Sequence, residues 1–127
     1  MTRDPEIGLG CMRLSTNPDR NEDSAIAVLH AAFDAGITFL DTADAYCWND
    51  TERGHNERLI ARALATWTGD RSRVKVATKG GLTRPGGRWE ADGRAKHLRA
   101  ACEESRAPSP SSAFICTNST RPIHAHR

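Results

Sequence analysis

Apolar residues recur along this chain in two rhythms. In "NEDSAIAVLHAAFDAG" the positions Ile26, Leu29, Ala32 and Phe33 follow helical spacing, with Asn21, Asp23 and Ser24 available as N-caps and Gly36 where a C-terminal cap belongs. "NERLIARALATWTG" repeats the pattern, with Leu59, Ala63 and Leu64 on one face and Gly69 at its end. "RAKHLRAACEES" (94–105) puts Leu98, Ala101 and Cys102 together. Between them lie short runs of the strand type: "EIGLGCMRL" (6–14), "ITFLDTA" (37–43) and "VKVATKG" (74–80). The order strand, helix, strand, helix, strand, helix, at ~40 residues per unit, predicts an α/β fold with parallel strands and right-handed crossovers. An open doubly wound sheet and a (β/α)8 barrel both fit.

The connections read as loops. "DAYCWNDTERGH" is polar, its last residues or Asn56 starting the second helix, and "LTRPGGRWEADG" is rich in Gly and Pro. From Arg106 the character changes: "RAPSPSSAFICTNSTRPIHAHR" holds none of the chain's 16 Asp and Glu and is rich in Ser, Thr and Pro. Residues 1–105 are therefore expected as a folded unit and 106–127 as a disordered or non-native tail.

Composition narrows the function classes. At 127 residues the chain can bury one core and is short for two domains. A net charge of +2 gives no electrostatic case for nucleic acid or an anionic membrane. No apolar stretch approaches the ~20 residues of a membrane span. The start, "MTRDPEIGLG", is charged where a signal peptide would be apolar, which points to the cytoplasm. Cys11, Cys47, Cys102 and Cys116 form no C-x-x-C pair and read as free thiols. His55 and His97 lack partners at metal-ligand spacing, so surface or loop roles are expected and no metal site. The basic residues are fifteen Arg and only three Lys, so each lysine position is informative.

All three strands end in polar groups: Gly10 and Cys11 after the first, Asp41 after the second, Lys79 after the third. In parallel α/β folds the carboxyl edge of the sheet is where sites assemble. An ionised carboxylate at a buried strand end needs a partner, and Lys79 on the adjacent strand can supply it. Tyr46 follows Asp41 by five positions. An ammonium beside a phenol favours the phenolate, making the tyrosine a competent proton donor near neutral pH. The same residues are equally consistent with an ordinary strand-end ion pair and a loop aromatic.

"GLGCMRLS" (8–15), "GITFLDTADAY" (36–46), "NERLIARAL" (56–64) and "VKVATKGG" (74–81) resemble, in order and with fitting separations, the successive N-terminal motifs of the aldo-keto reductases. "RPGGRWEADGRAKHLRAACEES" (84–105) is similar to the stretch that follows in bacterial members. The resemblance covers roughly residues 6–105. It implies a (β/α)8 barrel, of which this chain would hold the N-terminal portion, about three βα units. It also implies NADP(H)-dependent reduction of a small aldehyde or ketone, or oxidation of the alcohol. By motif Tyr46 is the acid, Lys79 the cation that tunes it, and Asp41 the anchor of Lys79. Gly10, Cys11 and Met12 match the loop lying near the cofactor, which Asp41 also borders; a tight strand-to-helix turn accounts for the glycine equally well. Trp48 either shapes the substrate pocket or packs its own loop, and Trp67 and Trp89 are expected on the barrel exterior or a loop.

The family's fourth site residue, a histidine, belongs in a stretch resembling "LYQLH" at the end of the fourth strand. Only His124 and His126 lie beyond the third helix, in sequence without family likeness. Suitable codons for residues 111–126, read one base out of register, give VERIYLYQLHAPDPRT. The hypothesis is a frameshift near residues 104–106; a gene sequence with incompatible third bases would exclude it. A barrel needs ~250 residues, so three units are expected to have little or no turnover. The alternative function is a non-catalytic binding or interaction remnant. An open-sheet nucleotide-binding domain is disfavoured, because no G-x-G-x-x-G follows the first strand.

Overall fold

A computed structural model describes residues 7–106 and the backbone of 114–118. Strands β1 (Gly8–Gly10), β2 (Phe39–Asp41) and β3 (Lys75–Gly80) are parallel neighbours, joined by helices α1 (Glu22–Asp34) and α2 (His55–Thr66). A small antiparallel hairpin follows, β4 (Leu82–Thr83) with β5 (Glu90–Ala91), and then α3 (Ala95–Arg106). Strand β6 (Phe114–Asn118) runs parallel to β3, giving a four-stranded sheet in the order β1-β2-β3-β6.

Two features differ from the sequence expectation. The Gly/Pro stretch after β3 contains the β4–β5 hairpin, whose two-residue strands are too short to show alternation. The stretch read as a tail contributes β6, where the β-prone residues of "FICTN" are hidden in the average of a Ser- and Pro-rich segment. His124 and His126 lie outside the described residues.

Register explains the layering. Leu9, Leu40 and Val76 are aligned across the three strands, as are Gly10, Asp41 and Ala77. Side chains alternate along a strand, so these two rows face opposite ways. Leu40 and Val76 pack with Leu29 and Phe33 of α1 and Leu59, Ile60 and Ala63 of α2 in one core cluster. The row containing Asp41 lies on the other face. Trp67 joins α1 to α2 on the exterior: its ring meets Phe33 at 5.0 Å and its indole Nε1 donates to Asp34 at 2.9 Å.

Helix ends follow the local chemistry. Asn21 is the cap of α1, its side chain accepting from the Ser24 N–H at 2.9 Å. Gly36, at φ +96°, turns the chain toward β2. Asn56 does not cap α2; it lies inside the helix, fully buried, and the cap position is Gly54 at φ +79°. The helix gives way to extended backbone at Trp67, before Gly69. No helix among the described residues is long and apolar enough to cross a membrane.

Candidate active site

The polypeptide after β2 is pinned before it turns. The Thr42 N–H donates to the Ala77 carbonyl at 2.8 Å and the Asp44 N–H to the Lys79 carbonyl at 3.3 Å, continuing the ladder past the end of the strand. The Tyr46 N–H then reaches back to the Ala43 carbonyl at 3.3 Å. This returns Tyr46, 8% exposed, to the strand ends.

There it meets Lys79. The Lys79 ammonium donates to Asp41 Oδ1 at 3.0 Å and to the Thr42 carbonyl at 3.0 Å, and it lies 4.6 Å from the centre of the Tyr46 ring. Burial alone would push Lys79 toward losing its proton. The neighbouring Tyr46 and the hydrogen-bonded, negatively charged Asp41 outweigh that and hold its pKa above the ordinary lysine value. The ammonium therefore stays charged in a partly buried place. The Lys79 side chain is 19% exposed, and that of Asp41 51%. Asp41, Lys79 and Tyr46 are thus brought together.

The loop after β1 divides. Gly10 has open space above it, since a Cβ there would meet nothing within 4 Å, and Met12 is exposed. Cys11 is fully buried, with its thiol facing the Leu9 carbonyl at 3.6 Å. Its N–H donates to the Asp41 carbonyl and its carbonyl accepts from Asn56. Burial, reinforced by the Asp41 charge, pushes the Cys11 thiol up to about 12. Gly10, Met12 and the half-exposed Asp41 carboxylate thus leave an open surface at the strand ends, and the Cys11 side chain is turned away from it.

Sequence reasoning missed what holds this edge in place. Asn56 accepts from the Thr42 hydroxyl at 2.5 Å and donates to the Cys11 carbonyl at 2.8 Å and to Ser15 Oγ at 2.9 Å. One buried amide thereby ties the loops after β1 and β2 to α2. Next to it, Glu57 accepts from the Thr78 hydroxyl of β3. The signal was present in "HNERLI": two polar residues beside an apolar helical face, which read as a helix start. His55 is not free surface either; its Nδ1 lies 3.0 Å from Ser15 Oγ, and burial, chiefly, lowers its pKa. Trp89 is exposed in the loop between β4 and β5, as expected, and from there stands edge-on to Tyr46 with ring centres 6.5 Å apart.

A parallel βα sheet with Asp41, Lys79 and Tyr46 gathered at its carboxyl edge is the architecture of the N-terminal units of an α/β barrel. The chain belongs to the aldo/keto reductase family, whose model matches residues 6–108. It is 40% identical over 102 residues to 6-dehydroglucose reductase of Novosphingobium aromaticivorans, a match covering 80% of this chain and 32% of that protein. Among solved structures it is similar to PA4992 of Pseudomonas aeruginosa, assigned to the same family, with TM-score 0.63 and 27% identity over 80% of this chain and 36% of that one. A holo-form aldo-keto reductase of Bacillus halodurans matches with TM-score 0.62 and 31% identity, covering 81% of this chain and 31% of that chain. The chain thus spans about a third of the length of these relatives.

Proposed function

We propose that the site carries out NADP(H)-dependent interconversion of a small aldehyde or ketone with its alcohol. The observation that supports this best is Lys79, held 3.0 Å from Asp41 while 4.6 Å from the centre of the Tyr46 ring. Tyr46 would donate its hydroxyl proton to the carbonyl oxygen. The Lys79 ammonium would stabilise the phenolate left behind, and Asp41 would keep Lys79 charged and aimed. NADP(H), when bound, supplies the hydride. Gly10, Met12 and Asp41 would border its reacting end, with Cys11 acting only as the buried residue that sets the loop. The relative that reduces 6-dehydroglucose favours a hydroxylated carbonyl compound as substrate. The near-balanced net charge of +2 is in keeping with a cytoplasmic protein without nucleic-acid or membrane partners.

Because the relatives are about three times as long, their turnover is not carried over to this chain. Among the described residues the four-stranded sheet is open, and in such barrels the phosphate-binding loops follow the seventh and eighth strands. The chain is expected to show little or no turnover. A binding remnant is the second reading, favoured by the same open sheet. Titrating purified chain with NADPH, and following its oxidation with a generic aldehyde, separates the two. Saturable binding without turnover supports the remnant. Turnover that disappears in Tyr46→Phe would establish an active enzyme and overturn the expectation of inactivity, and turnover that survives Tyr46→Phe would remove Tyr46 as the acid.

A further inference from the structure

We infer that Arg84 is a positioning residue for Tyr46, acting through Trp89 and the loop at 47–50; this rests on the reading of Tyr46 as the acid. Arg84 is 4% exposed, and among the described residues no carboxylate forms an ion pair with it. Its guanidinium is used differently. Nε donates to the Cys47 carbonyl at 3.1 Å and a terminal nitrogen donates to the Trp48 carbonyl at 3.2 Å. Its backbone is locked to the same loop, with its N–H on Asp50 Oδ1 at 2.6 Å and its carbonyl accepting from the Asp50 N–H at 3.1 Å.

The two carbonyls held by Arg84 belong to the two residues that follow Tyr46. The guanidinium carbon Cζ also lies 4.0 Å from the centre of the Trp89 ring, and Trp89 is the aromatic edge-on to Tyr46. Arg84 therefore fixes Tyr46 from two sides, along the chain and through the ring that abuts it. A rigid fork with several donors is suited to this, whereas a lysine could hold only a point contact. Burying an arginine with carbonyls and a ring as its partners costs desolvation that a surface turn would not require. The hairpin β4–β5 is accordingly the element that carries this clamp, since Arg84 and Trp89 lie in its loop.

The test is hydroxyl-radical footprinting of the full chain, read residue by residue by mass spectrometry. Tyr46 is the only tyrosine in the chain, so its modification is unambiguous. Phe33, buried in the core, serves as the internal control for general loosening. In Arg84→Met the rate at Tyr46 is expected to rise severalfold with Phe33 unchanged, and Arg84→Lys is expected not to restore protection. Trp89→Ala is expected to raise the Tyr46 rate as well. Equal acceleration at Phe33 and Tyr46 would make Arg84 merely structural. An unchanged Tyr46 rate in Arg84→Met with native circular dichroism, or full rescue by lysine, would overturn the proposal. If Arg84→Met does not fold, Trp89→Ala decides: an unchanged Tyr46 rate there overturns it too. The measurement needs neither cofactor nor substrate, so it can succeed or fail independently of the reductase reading, which the NADPH titration tests.

Discussion

Asp41 is aligned in the sheet with Ala77, yet the residue it binds is Lys79. The offset is two residues, so Lys79 lies on the same face of β3 as Ala77, and its long side chain spans the diagonal back to Asp41. Had the spacing been one residue, Lys79 would point into the core beneath α1 and α2. The pairing is thus a consequence of strand parity and of the parallel register.

The Asp41–Lys79 pair is expected to contribute little to stability. The Asp41 side chain is half exposed, and such pairs are worth at most about 1 kcal/mol. Urea unfolding of Lys79→Met and of Asp41→Asn should each stay within about 1 kcal/mol of the parent. A loss of several kcal/mol would mean that the pair holds the sheet together and was not placed there for chemistry.

Asn56 should behave in the opposite way. Asn56→Ala strips partners from the Thr42 hydroxyl, the Cys11 carbonyl and Ser15 Oγ, all at buried residues. Ser15 Oγ keeps His55 and the Cys11 carbonyl keeps the Leu14 N–H, so the Thr42 hydroxyl is the group left without its amide partner, and with the three lost bonds the cost is about 2 kcal/mol. The same denaturant series should place this variant well below the two above, near the loss expected for Leu59→Ala. A near-neutral result would show that water takes over the amide's role.

Asp44 gives a pH signature. It is buried, and burial raises its pKa from 3.8 to about 6 against the pull of Arg53, whose Nε lies 3.5 Å away. The folded chain therefore holds this proton where the unfolded chain has lost it. Stability from this group is full below the unfolded value and declines as pH rises through about 6. The size of the decline is on the order of 3 kcal/mol. The difference in unfolding free energy between Asp44→Asn and the parent should be small in acid and should grow in favour of the variant toward neutral pH. A difference that shrinks across that window would reverse the sign of the argument.

The thiols should differ in reactivity. Burial pushes Cys47 up to about 11 and Cys11 to about 12, so both are almost wholly thiol at neutral pH, and both are inaccessible. Cys102 is partly exposed. Timed alkylation with mass mapping is expected to mark Cys102 well before Cys11 or Cys47. Labelling of Cys47 as fast as Cys102 would show that the loop held by Arg84 opens readily.

What could be read in advance was what depends on short-range pattern. The helical spacing of Leu29 and Phe33 predicted α1, and the end-of-strand positions of Asp41 and Lys79 predicted their pairing. The hairpin β4–β5 was not legible, because two-residue strands have no period. Asn56 was misread because a polar residue at a helix start is ordinarily a cap. Its true partners come from positions 41 to 45 residues away as well as from Thr42.

The sequence by itself determined the alternation of strands and helices, the family, and the identities of Asp41, Lys79 and Tyr46, since periodicity and motif order are local properties of a chain. Tertiary structure alone decided that Cys11 turns inward while Gly10 stays open, that Asn56 joins two loops, and that Arg84 and Trp89 close on Tyr46. Those outcomes depend on strand register and on contacts between residues far apart in the chain, and no local pattern encodes which of several polar side chains a buried carbonyl will meet.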